Sequence, residues 1–181
     1  KYQLINTEES FNEFLRELDT AKIVAFDTET TSLNVRIASL VGISFSLLEG
    51  TGVYIPLSHT DEDVDQLPTE YVLKSLDGWF QGSCTKVAHN LKYDLHILLN
   101  AGVKIQGPFE DTMLMSYVLE ANRKHDLATL DERHLGRSGQ TYEELTGKGA
   151  KQICFSEVPV SQAMYYACED ADFTIDLYFK L

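Results

Sequence analysis

Positive charge is scarce in this sequence. Fifteen lysines and arginines stand against 28 aspartates and glutamates, a formal charge of −13 over 181 residues. Proteins that coat nucleic acid unselectively collect basic residues to displace counterions from phosphates, so this balance excludes a general nucleic-acid scaffold. Any such contact must be local. Arg123, Lys124, Arg133, Arg137, Lys148 and Lys151 are the nearest approach to a basic stretch, while Asp61, Glu62, Asp63 and Asp65 form an acidic loop. Both also fit an ordinary solvated surface. Cysteine is scarce too. Cys84, Cys154 and Cys168 are odd in number and lack C-x-x-C spacing, which argues against disulfides and zinc and for free thiols in a reduced compartment. No apolar run reaches about 18 residues. The opening Lys1-Tyr2-Gln3 lacks a signal peptide, so a soluble chain without membrane contact is expected. The absence of an initiator methionine suits a piece of a longer polypeptide or a trimmed chain. Repeats, low-complexity tracts and interdomain linkers are also missing, and 181 residues with 44% apolar content suffice for one domain, residues 1–181, with its own core.

Read in order, Tyr2 to Asn6 suits a short strand, and Thr7 suits the N-cap of a helix whose Phe11, Phe14, Leu15 and Leu18 recur at helical spacing. Ile23 to Glu29, Leu40 to Leu47 and Gly52 to Pro56 read as three strands on short connections, the signature of an antiparallel meander. Pro68 opens a helix that carries Tyr71, Val72, Leu76, Trp79 and Phe80 on one side and stops at Gly82-Ser83. Then come a strand from Thr85 to His89, a helix from Asn90 to Asn100, and a strand from Val103 to Ile105. Asp111 caps a helix over Thr112 to Leu119, and another follows from Asp126 to Leu135. Glycines bracket a short segment around Tyr142, and Pro159 starts a long terminal helix. A meander followed by alternating helices and strands predicts an α/β fold with a mixed sheet and helices packed on it.

The chain is organised around Val24-Ala25-Phe26-Asp27-Thr28-Glu29-Thr30. Residues i and i+2 of a strand share a face, so Asp27 and Glu29 point the same way. Neighbouring carboxylates repel unless a cation neutralises them. A solvated strand end would read the same, so the motif needs partners elsewhere. Asn90 and Asp94 are i and i+4 at a helix start and share a face, although ordinary capping by Asn90 with an exposed Asp94 is equally readable. On the terminal helix Tyr165, Glu169, Asp172 and Asp176 form a polar stripe. Ala163, Tyr166, Ala167, Asp170, Thr174 and Leu177 form a mostly small or apolar one, which Asp170 interrupts. A carboxylate there is neutral, paired or cation-bound. Tyr166 stands one turn earlier, where core packing would also explain it. Asp27, Glu29, Asp94 and Asp170 together offer oxygen ligands only, which favours Mg²⁺ or Mn²⁺ over zinc. Two such ions about 4 Å apart suit displacement of an oxygen from phosphorus, that is, phosphodiester hydrolysis.

Asp27-Thr28-Glu29-Thr30, Asn90-Leu91-Lys92-Tyr93-Asp94 and Tyr166-Ala167-Cys168-Glu169-Asp170-Ala171-Asp172 resemble the three exonuclease motifs of the DEDD superfamily, tyrosine subtype. With Asp111-Thr112-Met113 and Gly147-Lys148-Gly149 added, the whole chain is similar to the proofreading 3′-5′ exonuclease domains of bacterial family A DNA polymerases. The resemblance implies an RNase H-like fold with a five-stranded mixed sheet. It assigns two divalent ions, Mg²⁺ or Mn²⁺ with Zn²⁺ possible at one site, to Asp27, Glu29, Asp94 and Asp170. Tyr166, with Glu29, orients the attacking water. Thr28, Leu33, Asn90, Lys124 and Tyr142 fall at substrate positions, Leu33 and Tyr142 against the last base and Asn90 and Lys124 near phosphate or sugar. His89 receives no role. The partners implied are the 3′ end of single-stranded DNA and a covalently linked polymerase domain, in a monomer working in the bacterial cytoplasm on the nucleoid. A ribonuclease D-like exoribonuclease and a silent structural domain of a polymerase are the rival readings.

Overall fold

The computed structural model describes residues 1–181. Thr7 accepts the Ser10 amide, and the Ser10 side chain answers the Thr7 amide, so a capping box starts α1 (Glu8–Thr20). Phe11, Phe14 and Leu18 line its buried face. The strands are β1 (Tyr2–Leu4), β2 (Ile23–Thr30), β3 (Leu40–Ser46), β4 (Gly52–Pro56), β5 (Thr85–Ala88) and β6 (Phe109–Asp111). They form one sheet in the order β1-β4-β3-β2-β5-β6. The meander is present: β2 pairs antiparallel with β3, and β3 with β4. The other three pairings are parallel. The sheet therefore has six strands rather than five, and Val103 to Ile105 is not a strand. The edge strand comes a few residues later, where Phe109–Asp111 lies beside Lys86–Ala88.

Helices α2 (Thr69–Ser75), α3 (Asp77–Gln81), α4 (Leu91–Asn100), α5 (Thr112–Leu119), α6 (Leu127–Leu135), α7 (Tyr142–Thr146) and α8 (Val160–Lys180) complete the fold. The single helix expected after Pro68 is two, divided at Leu76. Asp111 caps α5 as read from the sequence, accepting the Met113 amide, whereas Asp126, expected as the first residue of α6, stands before it as the cap and accepts the Thr129 amide. No helix is long and apolar enough to cross a membrane.

The two faces of the sheet are covered differently, and this positions the site. Val24 and Phe26 belong to a core of 20 buried residues that includes Phe14, Trp79, Leu91 and Leu98 from α1, α3 and α4. Ala25, between them, faces the other way and packs with Ile175 of α8. Burial of each large apolar side chain in this core contributes about 1.5–3 kcal/mol. Helix α8 lies close against the sheet because its contact residues are small. Gly52 of β4 is so near that a Cβ there would stand 2.8 Å from the Cys168 carbonyl oxygen. The acidic loop supplies the helix start: Asp61 Oδ2 accepts the Val160 amide at 3.0 Å.

The polar stripe expected on α8 is not a solvent face. Only Tyr165 is exposed; Glu169 and Asp172 are buried. Asp172 accepts the Tyr2 hydroxyl at 2.9 Å and the Gly50 amide at 2.7 Å, so partners far away in the chain satisfy it.

Candidate active site

Alternation along β2 turns Ala25, Asp27 and Glu29 toward α8. The close approach of that helix brings Asp170 to them, and oxygens of Asp27, Glu29 and Asp170 lie within 4.8 Å of one another. Asp94 joins them from a different element, close enough that its carboxyl acts on Asp27. It sits on α4, which packs on the opposite face, and reaches β2 at Thr28. Its Oδ1 accepts the Thr28 amide at 3.0 Å and the Thr28 hydroxyl at 2.6 Å. Neither solvated reading survives, since Asp94 is 1% exposed and Glu29 is 7% exposed.

Such burial is costly for carboxylates. Burial pushes Asp27 up to about 7, opposed by the hydrogen bond from Thr28 and by Asp94. Glu29 is held well above the usual carboxylate range by burial and then by the charges of Asp27, Asp170 and Asp94. Asp94 and Asp170 are raised by burial and next by Asp27. Glu29 Oε1 is buried without a hydrogen-bond partner. Three crowded acids, one with an orphaned oxygen and none with a basic partner inside the cluster, are the donor set of a hard divalent cation. The residues therefore fit such an ion.

Tyr166 stands one turn before Asp170 on α8. Burial first, then the charges of Asp170, Glu29 and Asp27, raise its phenol far above its ordinary range. Tyr142, in the first turn of α7, is 40% exposed. It meets Tyr166 edge-on at 6.3 Å and lies parallel to Phe155 at 6.3 Å. Leu33, on the connection after β2, is 91% exposed. Thr28 is buried with its hydroxyl engaged by Asp94, so its contact is with that acid.

Asn90 does not cap α4 through its side chain. It takes a left-handed conformation, φ 65°, and the Asp111 carboxylate accepts the amides of Asn90 and Leu91 at 3.1 and 2.9 Å. Asp111 thus closes the starts of both α4 and α5, a double role that its sequence position, 20 residues downstream, does not reveal. His89 ties the same region together, bonding Thr112 Oγ1 and the His125 carbonyl, each at 2.8 Å. Of the basic cluster, Arg123, Arg133, Arg137 and Lys148 are in ion pairs. Lys124 and Lys151 remain exposed without one. Sequence reasoning had no signal for Phe155, which packs against both Tyr142 and Tyr166.

A mixed sheet flanked by helices, with carboxylates converging from its central strand and last helix, is an RNase H-like fold with a cluster fit for a divalent cation. Residues 2–181 match the family described as 3′-5′ exonuclease, and the chain belongs to that family. It is 39% identical to the DNA polymerase I of Pseudomonas aeruginosa over 99% of its own length and 20% of that protein. With the DNA polymerase I of Chloroflexus aurantiacus it shares 38% identity over 93% of the chain and 18% of the relative. The chain thus spans about a fifth of the relatives it matches. The crystal structure of Trypanosoma brucei RNase D superposes with a TM-score of 0.74 at 16% identity, covering 100% of this chain and 65% of that one, which shows the shared fold.

Proposed function

We propose that these 181 residues act as one proofreading module that removes nucleotides from the 3′ end of single-stranded or frayed DNA, within a bacterial DNA polymerase I. The observation that carries this reading is the Asp27–Glu29–Asp170 cluster with its orphaned Glu29 oxygen, in a chain whose full-length relatives are polymerases. Asp27, Glu29, Asp94 and Asp170 would together hold two divalent ions, Mg²⁺ or Mn²⁺ with Zn²⁺ acceptable at one position. The ions supply water activation and stabilisation of the leaving oxygen at phosphorus.

The chain's own groups do the rest. Tyr166 keeps its proton, because its surroundings disfavour the phenolate, and donates it as a hydrogen bond that orients the attacking water together with Glu29. Thr28 fixes Asp94. Leu33 and Tyr142 flank the terminal base, Asn90 and Lys124 contact sugar or phosphate, and none of these reads sequence. All four acids come from one chain, so a monomer suffices. Its place of work is the nucleoid in the bacterial cytoplasm, and its acidic surface relies on the basic groove of the linked polymerase to capture DNA.

Digestion of a 5′-labelled single strand in Mg²⁺ tests the reading. Asp27→Ala and Asp170→Ala should each cost about a thousandfold or more, since several kcal/mol of charge stabilisation are lost. Unchanged digestion would remove the assignment. The similarity to RNase D supports a second reading, an exoribonuclease, and matched DNA and RNA oligonucleotides separate the two through the 2′-hydroxyl.

A further inference from the structure

The short connection between α6 and α7, Gly136 to Thr141, is held onto α8 at two points. Near its start Arg137 Nη2 reaches Asp131 Oδ1 on α6 at 3.1 Å and Asp176 Oδ2 on α8 at 2.8 Å. The same guanidinium lies over the Phe173 ring, 4.2 Å from its centroid. Further along, the Gln140 amide donates to Glu169 Oε1 at 2.8 Å. Between these ties Gly139 is pressed so close that a Cβ would stand 2.2 Å from Glu169 Oε1 and 2.9 Å from the Phe173 ring. Thr141 then caps α7 in a box with Glu144. The next residue is Tyr142, whose ring meets Tyr166. With both ends of so short a span fixed, the place of Arg137 sets the place of the Tyr142 ring.

Electrostatics makes Arg137 the keystone of this arrangement. The Asp131 side chain is fully buried and that of Asp176 is 14% exposed. With the cation removed, two carboxylates beside Asp172 and Glu169 face one another without compensation, and the connection gains by lifting away. Lysine is only a partial substitute, for a single nitrogen meets both carboxylates here but the stacking on Phe173 would be lost. A planar guanidinium serves two carboxylates while stacking on a ring, whereas an ammonium is a point charge.

We propose that Arg137 is a positioning residue for the exonuclease reaction, tying the α6–α7 connection to α8 so that Tyr142 is presented to the base at the 3′ end. The proposal rests on the reading of Tyr142 as a stacking platform. Arg137 itself touches no substrate. Its influence therefore falls on capture of the strand, not on hydrolysis.

Steady-state digestion of a single-stranded oligonucleotide in Mg²⁺ by Arg137→Ala, Asp176→Asn, Tyr142→Ala and the doubles with Tyr142→Ala tests this. Arg137→Ala and Asp176→Asn should raise KM about 3- to 10-fold, part of what a lost base stack costs, with kcat within about twofold. Arg137→Lys should recover only part of the loss. In the Tyr142→Ala background neither substitution should add anything, because both act through that ring. Asp176→Asn cuts the tie to α8 while keeping the Asp131 pair, and so carries the test should Arg137→Ala fail to fold. Additive effects in the doubles, or a fall in kcat at unchanged KM, overturn the proposal. An unaltered KM in Tyr142→Ala also overturns it, yet leaves the exonuclease reading standing on Asp27→Ala and Asp170→Ala.

Discussion

Thr28 gives both its amide and its hydroxyl to a single oxygen of Asp94, at 3.0 and 2.6 Å. The pair joins the central strand to α4 and sets the direction of the acid that reaches the cluster from that helix. Outer partners of metal-ligating carboxylates typically matter 10- to 100-fold in affinity, roughly, when removed. Thr28→Val keeps the shape and deletes the hydroxyl. It should weaken Mn²⁺ binding, followed by titration calorimetry, by roughly 10-fold or more, and Thr28→Ser should restore it. Equal affinity in the valine variant would show that the amide alone suffices.

Stability should depend on pH in an unusual direction. Unfolded carboxylates lose their protons near pH 4, roughly, whereas Asp27 is pushed up to about 7 and Asp131 to about 6 by burial. Between those limits the folded chain holds protons that the unfolded chain has shed. The contribution of these groups to stability is therefore greatest on the acid side and declines as pH rises through that window. Melting temperatures in chelator should fall between pH 5 and pH 8. Asp27→Asn should flatten the slope, and Mn²⁺ should protect most at the higher pH.

Tyr166→Phe should separate orientation from metal binding. Its phenol is raised by burial and by three neighbouring acids, so it stays protonated across the working range and imposes no alkaline limb on the rate. Loss of the hydroxyl should lower kcat by about 10- to 100-fold, at the low end of what a positioned proton donor contributes. Mn²⁺ affinity should hold. A parallel loss of metal would recast Tyr166 as part of the ligand support.

Gly52 is where the sheet touches α8, with the Cys168 carbonyl 2.8 Å from a would-be Cβ. Because that neighbour is backbone, a side chain there forces the whole helix outward and moves Asp170 from Asp27. Gly52→Val should cost about 1–3 kcal/mol in urea unfolding and weaken Mn²⁺ binding at once. Destabilisation with intact metal affinity would show that the helix pivots and leaves Asp170 in place.

Much of the frame was legible because it rests on local signals. The period-two face of Asp27 and Glu29, the Thr7 and Asp111 caps and the start of α8 after Pro159 all appear as read. The failures share a physical origin. Val72, Leu76, Trp79 and Phe80 stay buried on both sides of the break at Leu76, so apolar spacing runs through it unchanged. The Phe109–Asp111 edge strand is three residues long with only its pairing to β5 to define it. Val103, by contrast, is apolar because it packs in the core. In the site, the four acids were visible as residue types. Their convergence, three from β2 and α8 and Asp94 from α4, depends on which face of the sheet each helix covers, and no spacing encodes that. Glu169, Asp172 and Asp176 read only as a polar stripe because their partners Gln140, Gly50, Tyr2 and Arg137 lie far away in the sequence.

The trio draws Asp27 and Glu29 from an early strand and Asp170 from the last helix. While the chain is being synthesised, the first two acids emerge well ahead of the third, and the cluster cannot assemble until α8 has left the ribosome and settled on the sheet. The order of the sequence thus makes the cluster a late product of synthesis, complete only when the last helix docks.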